Sequence, residues 1–245
     1  MKAFLYGIGL QFKFDIRSKG MLIACYLVPI IFFLFMGGIF TTIDTNATKT
    51  LISSMTVFTI IMSALFGVPP AVAEIYGTDV KKVYNANGAP IWFGVISQFI
   101  SSFIHTLICC LIVFALSPLI FKAELPPDLI WYFLSLIALL AITLAISCIF
   151  GLLIKQQAKL TMVAMAIFLP STMLSGIMFP ADMLPQFMQY IAYAFPATIA
   201  FKAMTSFQVW HLPVLFSIFI LLCSVIALLL KFKRYGSPCN RTGKP

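Results

Sequence analysis

The stretch from Leu129 to Ile154 reads LIWYFLSLIALLAITLAISCIFGLLI, 26 residues without one charged side chain. Wound as an α-helix at 1.5 Å per residue it is about 39 Å long, more than the ~30 Å hydrocarbon core of a bilayer. Working outward, five more runs share this character: Gly20 to Phe40, Leu51 to Ala73, Ile91 to Phe121, Leu160 to Phe179 and Leu212 to Leu230. The run from Ile91 is longer than a bilayer needs, so one end is expected to project or tilt. Met183 to Phe201 is also apolar, but Pro185 and Pro196 cut it into pieces of about ten residues, too short to span. Those pieces read as a helical hairpin dipping into one interface.

Composition agrees. The 245 residues are 62% hydrophobic and 9% charged, with a mean hydropathy of +1.06. A soluble chain carries roughly 45–50% apolar and about 25% charged residues. This excludes a soluble enzyme and leaves no room for a large soluble domain. The expected architecture is an all-α membrane protein. An amphipathic interfacial helix occupies 1–19, and a six-helix transmembrane domain occupies 20–230. Its spans cover about 20–40, 51–73, 91–121, 129–154, 160–179 and 212–230. An external re-entrant hairpin lies between the fifth and sixth, and 231–245 form a basic cytoplasmic tail. The first 19 residues are too long and too amphipathic for the n-region of a cleaved leader.

The net charge of +9 reads as topology, not as a nucleic-acid surface, because the basic residues sit between apolar runs. Lys2, Lys13, Arg17, Lys19, Lys81, Lys82, Lys155, Lys159, Lys231, Lys233, Arg234, Arg241 and Lys244 fall on one side. Only Lys49, Lys122 and Lys202 fall on the other. Lys and Arg are retained on the cytoplasmic side, so both termini are expected there, in a multi-pass protein of the cell membrane.

Asp15, Asp44, Glu74, Asp79, Glu124, Asp128 and Asp182 all lie in connections or at span ends. Ion-coupled transporters bury ionisable groups at the midplane, and many show inverted repeats; neither feature is visible. Any transport is therefore expected to take its energy from outside the membrane core. The six cysteines form no C-x-x-C and read as apolar packing residues. His105, in the third span, reads as a hydrogen-bonded packing residue. With two histidines and no H-E-x-x-H, an intramembrane protease is excluded on its ligand chemistry. No metal site is expected.

The connections carry the remaining signals. Phe4, Leu5, Ile8, Phe12 and Ile16 recur at helical spacing, with Lys13 and Arg17 off that face, which suits a helix lying in the cytoplasmic interface. Leu10 and Phe14 fall elsewhere on the wheel. Between the second and third runs, Glu74 to Pro90 reads EIYGTDVKKVYNANGAP. Thr78 or Asp79 would cap a short helix there, suited to contact with a soluble partner or simply a solvated turn. Just before it, Pro69-Pro70 removes two backbone donors from the second span.

After the fifth run comes Gly176-x-x-Phe179-Pro180-x-x-x-Leu184-Pro185, with Pro196 some ten residues later and the basic Lys202 beyond it. This pattern resembles the permease family of ABC transporters of the type-2 export class. The stretch Glu74, Gly77-Thr78, Asp79, Lys81-Lys82 and Pro90 is similar to that family's cytoplasmic loop between spans two and three. Two departures stand out: Lys202 replaces a frequent Arg, and Val83-Tyr84-Asn85-Ala86-Asn87 replaces the usual Leu-rich helix.

The resemblance covers essentially the whole chain. It implies a permease subunit paired with a second, identical or related, permease and with separate ABC ATPase subunits. It implies ATPase coupling through Glu74, Gly77, Thr78, Asp79, Lys81, Lys82 and Pro90. No G-x-x-x-x-G-K-[ST] loop occurs, so ATP and Mg would be bound by the partner ATPase and no cofactor by this chain. On the spans that line the dimer interface in that family, Met55, Phe58, Met62, Phe66, Met162, Met165 and Phe168 are candidate pathway residues. An adaptable apolar lining suits a hydrophobic or amphipathic drug, peptide or lipid-like cargo. Export of a glycan or lipid-linked glycan, or a non-transporting sensor or immunity subunit, are the alternatives.

Overall fold

The computed structural model describes residues 2–43, 48–77, 90, 92–178, 183–206 and 211–235. Among them there are helices and no strand. Helix α1 (Lys2–Arg17) is followed by α2 (Lys19–Leu22), a π turn (Ile23–Leu27) and α3 (Val28–Ile43). Then come α4 (Leu51–Gly77), α5 (Trp92–Phe121), α6 (Leu129–Leu153) and α7 (Gln157–Leu174). Two short helices, α8 (Gln186–Ala192) and α9 (Pro196–Thr205), precede α10 (His211–Tyr235). Five helical stretches are long and apolar enough to cross a membrane: Lys19–Thr42, α4, α5, α6 and α7. In α10, a helix of 25 residues, the apolar part whose side chains are described is shorter, Ser217–Ala227.

Helix α4 is the centre of the bundle. Its most apolar window is 89% buried, against 22% for α7. It packs on α6 along its length, and on α5, α7, α9 and the π turn. Small hydroxyl residues make this possible, since they let backbones approach closely within a membrane. Their own polarity is absorbed locally. Thr59 Oγ1 donates to Met55 O at 2.8 Å, and Ser63 Oγ to Cys25 O at 3.4 Å. Thr56 Oγ1 meets the Tyr132 hydroxyl of α6 at 2.7 Å. Pro69 and Pro70 do not end α4, which stays helical to Gly77. There α6 comes very close: a Cβ on Gly151 would lie 2.6 Å from Val72 Cβ and 2.8 Å from Pro69 O.

Helix boundaries follow capping chemistry. Asp128 caps α6, its Oδ1 accepting from Ile130 N at 3.2 Å and Trp131 N at 3.4 Å. Helix α5, 30 residues long, ends where Lys122 takes the left-handed conformation at φ 53°. Helix α7 stops at Leu174, five residues short of the expected end at Phe179, because Gly176 turns left-handed at φ 81°. The chain beyond needs a residue free of the Cβ penalty there.

The expected interfacial helix is a docked one. Helix α1 packs on α5: Phe12 stacks on His105 at 4.2 Å between centroids, and a Cβ on Gly7 would run into the Phe93 ring. Tyr6, Leu10, Phe14 and Ile16 remain exposed on its other sides. Ile16 thus leaves the face that the spacing assigns it to, and beside Phe12 the buried side of α1 carries polar contacts.

Candidate functional site

Those contacts centre on Asp15, which is only 4% exposed. Gln11 Nε2 donates to Asp15 Oδ1 at 3.1 Å and to Gln98 Oε1 at 2.7 Å. Gln98 Nε2 donates to Asp15 Oδ2 at 3.3 Å and to Ser102 Oγ at 3.0 Å. Ser101 Oγ also donates to Asp15 Oδ2. A buried carboxylate survives only when hydrogen bonds replace its water, and these three donors do so. One helical turn along α5, His105 Nδ1 pairs with the Tyr26 hydroxyl at 2.8 Å. Tyr26 reaches it from the π turn, a local widening that commonly marks functional positions. His105 Nε2 and Thr106 Oγ1 are buried without a hydrogen-bond partner among the described residues.

A cavity of about 560 Å³ opens beside Asp15, at the end of the bundle where α1 meets α2. Its walls come from that joint (Asp15, Ser18, Gly20, Met21) and from α4 (Phe66, Gly67, Pro70, Ala71, Ala73, Glu74). Lys155, in the link between α6 and α7, and Gln157, the first residue of α7, complete it. The lining mixes polar side chains (Asp15, Ser18, Glu74, Lys155, Gln157) with apolar ones (Met21, Phe66, Pro70). Among the described residues, no three His, Cys, Asp or Glu side chains come together to hold a metal ion.

Glu74 sits exposed near the end of α4 and lines this cavity; Gly77 is the last residue of that helix. Thr78, Asp79, Lys81 and Lys82 lie outside the described residues. Pro90 is exposed and its carbonyl accepts from Phe93 N at 3.0 Å, opening α5. In the second motif, Phe179 and Pro180 lie outside the described residues, while the other positions shape the path of the chain. Gly176 makes the left-handed turn. Pro185 precedes α8 and accepts from Met188 N at 2.9 Å; Leu184 O accepts from Gln189 Nε2 at 2.8 Å. Pro196 is the first residue of α9, where its fixed φ suits a helix start. Thr198 Oγ1 bonds Ala192 O at 2.6 Å and Ser175 Oγ at 3.2 Å, tying α7, α8 and α9 together. Lys202 Nζ reaches the Tyr193 hydroxyl at 2.5 Å and lies 4.2 Å from the ring centroid.

The candidate pathway residues separate into two groups. Phe58 and Phe66 of α4 each meet Phe168 of α7 edge-on at 5.5 Å, and Phe32 stacks on Phe58 at 3.7 Å. Met62 packs partly buried against the same core, and Met55 is wholly enclosed by the chain's own helices. Met162 and Met165 instead point outward from α7, 71% and 48% exposed.

This geometry is a helical membrane bundle with a half-polar cavity at one end and paired short helices after the fifth apolar helix. The chain matches the ABC-2 type transporter family over residues 8–209. It belongs to that family. The protein is therefore a membrane-spanning permease subunit of an ABC transporter, a transport subunit and not itself a catalyst. No curated protein matches the chain.

Among the described residues Asp15 is the most buried acid, and by position in the sequence it is one more acid at a span end. The signal for it exists: Gln11 and Asp15 are one turn apart on α1, and Gln98, Ser101, Ser102 and His105 mark one face of α5 at helical spacing. Both patterns become informative only once the two helices are known to pack on each other.

Proposed function

We propose that this permease forms, with a second permease subunit, the membrane pathway of an ATP-driven exporter for hydrophobic or amphipathic molecules. The observation that carries the reading is the family match over residues 8–209, in a chain without a phosphate-cradling G-x-x-x-x-G-K-[ST] loop. Separate ATPase subunits then bind ATP and Mg, and their closure pushes on the Glu74 to Pro90 connection and on α1. The distribution of Lys and Arg puts both termini in the cytoplasm, with α10 as the sixth span and α8 and α9 as the external hairpin. Helix α10, at about 38 Å for its 25 residues, is long enough for that role.

A pairing surface is available on α7. Met162, Met165, Leu169 and Met173 recur every three or four residues and are all exposed. Such an adaptable thioether-rich face fits a second subunit or a moving cargo.

The test is co-expression with an ABC-type ATPase subunit, sought among the neighbouring genes, followed by ATP-dependent efflux of a lipophilic dye from cells or its uptake by inside-out vesicles. Deletion of Val80 to Val83 should leave the permease inserted while ATPase co-purification and transport are lost. Unchanged co-purification and transport in that variant would falsify the coupling assignment. A stable complex whose ATP turnover no compound alters would favour a non-transporting subunit.

A further inference from the structure

Helix α1 leaves uncovered a face that its hydrophobic spacing does not point out. Gln11 and Asp15 bond to α5, and Phe12 stacks on His105, so that side of the helix is taken. On the other side Tyr6, Leu10 and Phe14 recur every fourth residue, and all three are exposed. Lys13 and Arg17 stand among them: at 3.6 residues per turn the five positions share an arc of roughly 100°. Both cations are exposed, and neither pairs with an acid among the described residues. The one acid in the sequence of α1, Asp15, is buried away from them. Helix α1 ends one residue before Lys19–Thr42, the first stretch able to cross a membrane, so Arg17 stands at the membrane boundary.

We propose that this face binds anionic phospholipids in the leaflet beside α1. Tyr6, Leu10 and Phe14 lie at the acyl boundary, while the stems of Lys13 and Arg17 run along them and carry the cations out to the phosphates. A zwitterionic headgroup brings its own ammonium and has no net charge to pair, whereas an anionic one has. Three large apolar side chains on one exposed arc favour lipid over a soluble acidic partner, because water leaves them unburied. The inference rests on the reading above only for the side of the membrane, the cytoplasmic one, where anionic lipid attracts basic segments. An ATPase subunit is the rival occupant.

The test uses the full chain in lipid vesicles without any ATPase, so neither sidedness nor transport enters. Spin-labelled phosphatidylglycerol and spin-labelled phosphatidylcholine are added in turn, and electron paramagnetic resonance reads the fraction of each held at the protein. A basic residue near an anionic surface strengthens binding about fivefold. Averaged over all the lipids around the chain, the wild type should hold phosphatidylglycerol about twofold over phosphatidylcholine. Lys13→Gln combined with Arg17→Gln should remove most of that excess, and Lys13→Arg combined with Arg17→Lys should keep it. Lys155→Gln combined with Lys159→Gln removes the same charge from another exposed site and should leave the excess in place. The proposal is overturned if the wild type shows no preference, if the Lys13 and Arg17 pair of glutamines retains it, or if the Lys155 and Lys159 pair loses as much. Should the first pair keep the lipid preference but no longer co-purify a co-expressed ATPase subunit, the face belongs to the ATPase and the proposal likewise falls. None of these results decides ATP-driven efflux, which its own assay measures.

Discussion

Replacing Gly151 by alanine probes the close approach of α6 to the backbone of α4. The new methyl carbon would lie 2.6 Å from Val72 Cβ and 2.8 Å from Pro69 O, where carbon contacts settle at about 3.5–4.0 Å. Neither neighbour can yield cheaply. Val72 is fully buried and its branched side chain has essentially one rotamer in a helix, while the oxygen belongs to backbone. Helices α4 and α6 must therefore part by about 1 Å at this point. Overpacking of this kind costs about 1–3 kcal/mol, which for a chain of this length lowers the melting temperature by roughly 2–12 °C. Thermal unfolding of the purified permease, followed by its fluorescence or by aggregation, measures the shift. Gly38→Ala is the matched control: nothing lies within 4 Å of its new Cβ, and removing a helical glycine gains up to about 1 kcal/mol. The reasoning is refuted if Gly151→Ala melts with the wild type, or if Gly38→Ala falls as far.

Tyr132→Phe should cost about 1 kcal/mol, because it removes the 2.7 Å bond to Thr56 between two wholly buried side chains. A double-mutant cycle with Thr56→Val checks that the loss belongs to the pair, and a coupling energy near zero rejects it. Asp128→Ala should destabilise the start of α6 by about 0.5–2 kcal/mol, since the bonds to Ile130 N and Trp131 N disappear. Asp128→Asn, which keeps a capping oxygen, should recover most of that in the same melting assay.

The helical spans were legible because a bilayer imposes length and apolarity on each segment separately, with no knowledge of its neighbours. Leu129 to Ile154 needs only its own composition to be read, and α6 covers Leu129–Leu153. The end of α7 was less legible, because the apolar run continues past Leu174 and hydropathy is blind to a left-handed glycine at 176. Pro69 and Pro70 mislead in the other direction. Two lost donors suggest a break, yet packing on both sides of α4 holds it helical to Gly77. Within the candidate site, Glu74 stands out in sequence as an acid at a span end. Asp15 looks equivalent there and differs only in space, where Gln98 and Ser101 of α5 enclose it. Burial of a polar residue is decided between helices, so no single segment announces it.

The docking of α1 constrains how force can travel through the permease. Three attachments hold it to α5: the close approach at Gly7 and Phe93, the stack of Phe12 on His105, and the Asp15 cluster. Hydrogen bonds to a charged group contribute about 1.5–3 kcal/mol each, and pulling Asp15 free would expose it to losing bonds from both Gln98 and Ser101. Sliding α1 along α5 is therefore costlier than moving the two together. Immediately after, Ser18 adopts extended backbone between α1 and α2, its N donating to Phe14 O at 3.0 Å, its O accepting from Leu22 N at 3.0 Å and its Oγ from Met21 N at 3.5 Å. In the proposed cycle, a push from the ATPases on α1 would therefore be carried to α5 as well.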